Sequence, residues 1–391
     1  MVQRFSDLKC PKKQFWMRSK DKIRRYYATC QEPGFNLTLI CGLNTFIGTA
    51  NLNSSNMKTY ILHLISIFLI GVLLNACSGE EKPMVGISMG PTHERWTKDI
   101  MYLTQHLENQ GAGVIVQNAK GSETEQARQA QEMIDKEDLD VLIIVPVNSE
   151  SAGIIVDYAK AFDVKVIAYD RIIKNCDLDC YLSFDNVRIG EMMAEYLTRI
   201  KPKGNYGILG GAKEDNNSAQ LRIGQMNVLQ PLIIRGDIKI VFDRNIEGWD
   251  SDNAYQALKE FLEGGGKLDA VISSSDELSR GAAKALAEYG LGKEVLLSGQ
   301  DAQTDACQRI VQGTQTMTVY KVIESLATST ARITMALAHD DEIPNTLTTV
   351  NNGTNMIPSI LLSSIIPVGE ENIRMTVIAD GFLDESTVFG E

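Results

Sequence analysis

An α/β protein of two similar lobes, each built on a parallel sheet with helices on both faces, is what this sequence predicts. Three observations predict it. At 391 residues the chain exceeds what a single core accommodates, so two domains are expected. From Pro83 onward, short apolar runs alternate with amphipathic stretches, the pattern of parallel strands covered on both sides. Roughly five such β–α units precede Phe184-Asp185 and about five follow, too regular for one sheet with decorations.

The elements follow in order. Strands are expected at 84–89 (MVGISM), 113–119 (GVIVQNA), 140–146 (DVLIIVP), 164–170 (VKVIAYD) and 180–185 (CYLSFD). A second set is expected at 205–210 (NYGILG), 238–243 (IKIVFD), 268–274 (LDAVISS), 294–299 (EVLLSG) and 315–320 (QTMTVY). Between the first two strands, Trp96, Ile100, Leu103 and Leu107 recur at helical spacing on one face. Ser122 with Glu125, and Ser274 with Glu277, form capping boxes that start two further helices. A helix from Lys321 to His339 precedes a tail broken by Gly353, Pro358 and Pro367, with a final apolar strand expected at 375–380 (MTVIAD). A tail that weaves between lobes would create several crossovers, and crossovers make a hinge.

Hydrophobic residues make up 44% of the chain and charged residues 23%, which excludes collagen-like, disordered and multi-span membrane classes. Charge is unevenly spread. Residues 1–77 are basic, leaving 28 basic and 47 acidic residues from Ser78 onward, a net charge of −19. So acidic a body repels phosphate backbones, so no nucleic-acid partner is expected. The apolar run from Tyr60 to Ala76, preceded by Lys58 and ending at Leu-Asn-Ala-Cys77, reads as a secretory leader with a bacterial lipobox, Cys77 being the lipidated residue. An uncleaved anchor is the alternative, at the short limit for a span. Met57 is the expected start, 57–77 the leader, and 1–56 an over-extended reading frame. Cys176 and Cys180 could pair in an oxidising compartment, Cys307 reads as a buried thiol, and no metal site is expected from such spacing.

Ligands of open parallel sheets bind outside the carboxyl ends of the strands, so polar groups at those ends are the candidate ligand contacts. They carry Glu94-Arg95-Trp96, Tyr169-Asp170-Arg171, Asp215-Asn216-Asn217, Glu247-Gly248-Trp249-Asp250, Ser275-Asp276, Gln300-Asp301 and Lys321. Donors only (Arg95, Arg171, Lys321) are interleaved with acceptors only (Asp215, Asp301) and with amides that do both. A neutral polyol wants that mixture, since each hydroxyl gives and takes a hydrogen bond. Trp96 and Trp249 are the two tryptophans of the body, and flat indole faces suit the C–H faces of a sugar ring. Singly, each residue has a structural alternative. Trp96 opens the apolar stripe of its helix, Trp249 could pack in a core, and Asp170 could pair with Arg171. Asp215 could be a helix cap, and Asp276 fits the first turn of a helix better than a ligand role.

The stretches ERWTKD, VIAYDR, SFDNVRIGE, GNYGILGGAKEDNN, GWDSDNA, SGQDA and GTQTMTVYK, with NNG and DGF near the end, resemble the periplasmic sugar-binding proteins of ABC importers, and within them the D-xylose-binding subgroup. The likeness runs over about residues 84 to 388. It implies two Rossmann-like lobes joined by a three-strand hinge, the type I periplasmic binding protein fold. One lobe would hold 83–185 plus 322–356, the other 186–321 plus 357–391. It implies a pentose held by Arg95, Arg171, Asp215, Asn217, Asp301 and Lys321, with Trp96 and Trp249 stacking on it. The subgroup has Asn-Asp where this sequence has Ser275-Asp276, so Ser275 offers one hydroxyl where an amide would offer a donor and an acceptor.

The function implied is reversible capture of a monosaccharide, D-xylose foremost, by a monomeric, lipid-anchored periplasmic protein that delivers it to an ABC permease. A sensory lipoprotein that signals closure to a membrane receptor or kinase is the alternative. No catalytic residue, metal or cofactor is expected: His93, His106 and His339 are scattered, and GAKEDNN lacks a P-loop pattern.

Overall fold

The computed structural model describes residues 82–91, 93–343 and 348–390. The leader at 57–77, Cys77 and the 1–56 extension lie outside the described residues. Chain order in the first half is β1 (Met84–Met89), α1 (Glu94–Asn109), β2 (Gly113–Asn118), α2 (Glu123–Lys136), β3 (Val141–Val145), α3 (Gly153–Ala161), β4 (Lys165–Tyr169) and β5 (Cys180–Phe184). These five strands pair in parallel in the order β5-β4-β3-β1-β2. Strand alternation covers both faces. Val141, Ile143 and Val145 of β3 join one apolar cluster with Trp96, Leu103 and Leu107 of α1, while Leu142 and Ile144 join another with Met133 and Ile134 of α2 and Val156 of α3.

After β5 the chain enters a second sheet with α4 (Asn186–Ile200), β6 (Gly204–Gly210), α5 (Asn216–Ile234), β7 (Ile238–Asn245), α6 (Ser251–Glu263), β8 (Ala270–Ser273), α7 (Asp276–Glu288), β9 (Leu296–Leu297) and α8 (Thr304–Val311). Here the order is β7-β6-β8-β9, all parallel. Then β10 (Thr318–Lys321) leads into α9 (Ile323–Ala338), which packs back on α1 and on β3, β4 and β5 of the first sheet. β11 (Thr348–Asn351) and β12 (Met356–Leu362) extend that first sheet beyond β5, and β13 (Ile365–Val368) returns to pair antiparallel with β10. The chain thus changes lobe near Asp185, Val322 and Ser363-Ser364, the last crossing falling after β12 rather than at the expected 356/357 boundary.

Three expectations need correction. No strand forms at 375–380; the chain instead makes a short 3-10 turn at Ile373–Met375 and a run of turns closed locally, with Asp380 N–H on the Thr376 carbonyl at 2.9 Å and Phe382 N–H on the Val377 carbonyl at 3.0 Å. β13, bearing Pro367, takes the place beside β10 instead; among the described residues it pairs with β10 alone, as an edge strand, so that proline's missing N–H is tolerated. The cap of α7 is Ser275, whose hydroxyl accepts from Leu278 N–H at 3.2 Å, one residue later than the Ser274 box. Cys176 and Cys180 are separate buried thiols and not a bridge, and burial pushes both thiols up to about 12. Cys307 is a buried free thiol, and Ser122 caps α2 as the first capping box predicts.

The helices of the second lobe approach closely through glycines. A β-carbon on Gly224 of α5 would lie 1.9 Å from the Val187 carbonyl oxygen of α4, and one on Gly190 would lie 2.1 Å from the Leu221 carbonyl oxygen. Backbone cannot give way as a flexible side chain can. Gly224→Ala is therefore expected to destabilise the protein by about 2–3 kcal/mol despite its better helix propensity, read as a lower urea midpoint at unchanged slope. A neutral or stabilising result would mean that the α4–α5 pair can separate at little cost.

Candidate functional site

The carboxyl ends of both sheets face one cleft. Its lining includes Arg95 and Trp96 from the start of α1, Arg171 after β4, Asp215 and Asn217 after β6, and Trp249 after β7. Ser275 after β8, Asp301 after β9 and Lys321 at the end of β10 complete the set. All nine residues singled out in the sequence are brought together. Topology explains it: parallel strands deliver every βα loop of a lobe to the same edge, and the two edges face each other.

Arg95 organises the electrostatics. Its guanidinium meets Asp99 at 3.1 Å, Asp170 at 2.5 Å and Asp301 at 3.3 Å, and Asp301 also holds the Lys321 ammonium at 2.7 Å. Asp99 in turn accepts the Tyr169 hydroxyl at 2.7 Å. Burial opposes the Arg95 charge, yet Asp170, Asp99 and Asp301 together raise its pKa well above the ordinary value. Burial likewise works against the carboxylates of Asp170 and Asp301. Arg95 and Lys321 outweigh it in Asp170, and Lys321 and Arg95 in Asp301, so both lie below the usual range. Asp99 and Asp215 go the other way: burial dominates and raises both.

The ion pairs tie the lobes together. Arg95 of the first lobe reaches Asp301 of the second, and Arg171 of the first reaches Asp215 of the second at 2.8 Å. Asn217 donates across the gap to the Asp170 carbonyl and carboxylate at 3.2 and 3.1 Å, and Ser149 N–H donates to the Glu214 carbonyl at 3.0 Å. The alternative of an Asp170–Arg171 surface pair is not realised, since each side chain turns to a different partner. The alternative for Asp215 is realised alongside its site role: one oxygen caps α5 through Asn217 N–H at 2.9 Å while the other pairs with Arg171.

Trp96 and Trp249 are 5% and 7% exposed, so each is both core residue and cleft wall. Arg95 and Arg171 lie over the Trp96 ring, 4.5 and 5.5 Å from its centroid. Trp249 sits against Gly211, where a β-carbon would fall 2.1–2.4 Å from three indole atoms, so only glycine admits the ring there. Its own φ is 58°, a left-handed conformation rare for a bulky residue. Asp170 (62°) and Asp301 (99°) share that region of backbone space. Such strain gathers where a side chain must be aimed.

His93, Asp170, Glu277, Gln300 and Gln303 also line the cleft. Asp170 and Gln300 stood at strand ends in the sequence; Glu277 was marked there only as the far end of a capping box, and Gln303 had no mark beyond lying near a strand end. Three lining residues keep a buried polar atom with no protein partner: the Asn217 amide oxygen, the Gln300 amide oxygen and the Trp249 indole N–H. Two acceptors and one donor of the lining residues are thus without a protein partner, amid cations already matched by carboxylates. Among the described residues no cluster of His, Cys, Asp and Glu suits a metal ion.

The profile of the periplasmic binding protein domain matches residues 85–342. The D-xylose-binding periplasmic protein of Escherichia coli is 42% identical over 317 residues, 81% of this chain and 95% of that protein. Its counterpart of the same description in Haemophilus influenzae is 42% identical over 307 residues, 78% and 92% of the two chains. A solute-binding protein of an ABC transporter from Clostridium phytofermentans, solved with β-D-glucose, superposes with a TM-score of 0.73 at 27% identity, covering 78% of this chain and 99% of that one.

Proposed function

The chain belongs to the periplasmic binding protein family, with the type I fold of two α/β lobes on a three-strand hinge, and from that premise we propose that it captures D-xylose between the lobes and delivers it to an ABC permease. The observation that carries this reading is the cleft itself, where two indoles and alternating cationic and anionic side chains from both lobes meet beside three unpartnered polar atoms. Trp96 and Trp249 would stack on the sugar faces. Arg95, Arg171, Asp215, Asn217, Asp301 and Lys321 would take its hydroxyls. Ser275, whose oxygen already accepts from Leu278 N–H, would offer its remaining O–H as a donor.

An anionic sugar is disfavoured, because Arg95, Arg171 and Lys321 are each balanced by an aspartate and the lining adds Glu277. The reaction is binding alone. Opening would swing the lobes about the crossings near Asp185, Val322 and Ser363, and the sugar would favour closure by touching both sides. We further propose that the protein acts as a monomer, held at the bacterial membrane through a lipid on Cys77, which lies outside the described residues.

Calorimetric titration of the body from Lys82 to Glu391 with xylose, ribose, arabinose, glucose and galactose tests the reading. Xylose is expected to bind most tightly, near micromolar, or about −8 kcal/mol. Spread over roughly ten heavy atoms, that is about 0.8 kcal/mol each, inside the ceiling of about 1.5 for small ligands. No heat and no tryptophan fluorescence change with all five sugars would reject it.

A further inference from the structure

Behind the cleft lies Asp276, the first residue of α7, fully buried and absent from the cleft lining. Its carboxylate is taken up by neutral donors. The Gln315 amide donates to Oδ1 at 2.8 Å, while Gln303 N–H and the Thr318 hydroxyl donate to Oδ2 at 3.0 and 2.8 Å. The Thr318 oxygen in turn accepts Ala302 N–H at 3.3 Å. Both N–H groups that follow Asp301 therefore end on this one carboxylate, one directly and one through a hydroxyl. They hold a turn that residues with a β-carbon avoid, Asp301 at φ 99° and Ala302 at φ 50°. That turn aims Asp301 at Lys321 and Arg95.

We propose that Asp276 is a positioning residue: it sets the shape of the 301–303 turn, and through it the aim of Asp301, so that affinity depends on a carboxylate the ligand never touches. The proposal rests on the sugar-binding reading above. The charged and titratable groups around Asp276 are few. Arg309 of α8 donates to its backbone carbonyl at 3.3 Å and to the Gln315 amide oxygen at 3.0 Å, which turns the Gln315 NH2 toward Asp276. Asp301 and the Cys307 thiol are its acidic neighbours; Glu277 beside it, and Asp305 of α8, are both paired with Arg280. Burial pushes the Asp276 carboxyl up to about 7, against the pull of Arg309.

The sign follows. Below about pH 7 a proton occupies an oxygen that faces only donors, the turn loses an acceptor, and affinity falls; above it, binding is at full strength. Fold stability moves oppositely for this group. With its folded pKa raised, the native state binds the extra proton, so protonation here stabilises the fold while it weakens binding.

Xylose titrations of wild type and of Asp276→Asn at pH 8 and pH 6 test the proposal. The amide keeps the size but sets an NH2 against donors. Asp276→Asn is expected to bind about tenfold more weakly at pH 8 and to be flat with pH, whereas wild type weakens several-fold at pH 6. Thr318→Val, which frees Ala302 N–H and leaves the carboxylate, should lose affinity and keep the pH dependence. Asp276→Asn within twofold of wild type at pH 8, or a flat wild-type profile, would overturn the proposal. If Asp276→Asn does not fold, the wild-type profile and Thr318→Val decide. A wild type that binds no sugar at pH 8 overturns the sugar reading as well, whereas a binding wild type with an indifferent Asp276→Asn overturns this one alone.

Discussion

Replacing Arg95 with methionine is expected to abolish measurable sugar binding and to cost the fold about 3–5 kcal/mol, the range for removing one partner from a buried ion network. The methionine fills much of the volume, so the loss is one of charge. Asp99 and Asp170, each at most 4% exposed, would face one another with Lys321, and Arg171 beside Asp170, as the remaining nearby cations. Both carboxyls should then titrate higher. In wild type, Arg95 and Lys321 depress Asp170 against its burial, so its contribution to stability is present at neutral pH and lost as pH falls through the acid range. The variant's stability deficit should therefore be largest at neutral pH and shrink as pH falls through the acid range, because protonation neutralises the unpaired buried carboxylates. The binding loss has a separate cause: Asp301 would keep Lys321 alone, and the first lobe would lose one of its two ionic links across the cleft, keeping Arg171 to Asp215. Titration calorimetry and urea unfolding read the two effects independently. Arg128→Met, which removes an exposed ion pair with Glu125, should change neither. Full affinity in Arg95→Met would remove the ion network from the account of binding.

The architecture was legible in the sequence because parallel strands buried on both faces leave near-continuous apolar runs. Every expected strand in the two main sheets is present, even β9, which shrinks to Leu296–Leu297, beyond which Ser273 N–H turns to the Ser298 hydroxyl at 3.1 Å. The tail misled for a physical reason. Val377 and Ile373 are buried as a strand's inward residues would be, but Met375 points to solvent and the local hydrogen bonds are those of turns. Apolar composition alone does not distinguish a strand from a turn that plugs a core. Conversely Pro358 and Pro367, read as breakers, sit within β12 and β13, where topology rather than residue type decides tolerance.

The site was legible as a set of positions and not as a set of contacts. Strand-end logic found Arg95, Arg171, Asp215, Asn217, Trp249, Ser275, Asp301 and Lys321 without knowing their partners. Which aspartate answers which arginine depends on how the lobes face each other, and no local spacing encodes that. Asp170 shows the limit. Beside Arg171 it suggested a surface pair, yet its left-handed backbone turns its carboxylate to Arg95 while Arg171 crosses to Asp215. Asp276 shows the same limit from the other side, since a first-turn aspartate and a buried hub for a neighbouring loop look identical in sequence.

Trp249→Ala is expected to weaken xylose binding by at least about 30-fold, the loss of a central aromatic anchor, while leaving a folded protein. The indole forms one wall of the cleft, and its removal would take away a stacking face and the unpartnered N–H together. Phenylalanine restores a face but no donor, so Trp249→Phe should recover part of the affinity, and the remaining deficit would measure the N–H. Trp96→Ala is a poorer test because its ring also begins the apolar stripe of α1 and lies under two guanidinium groups, so stability and binding would fall together. Gly211→Ala supplies an independent route to the same conclusion. Its new methyl would collide with the Trp249 ring at 2.1 Å, displacing the indole while every ligand-facing residue remains. Equal loss in Gly211→Ala and Trp249→Ala would place the effect in the position of the ring. Trp249→Ala within threefold of wild type, with Gly211→Ala indifferent, would show that the sugar does not use this wall, and the stacking account would fall with it.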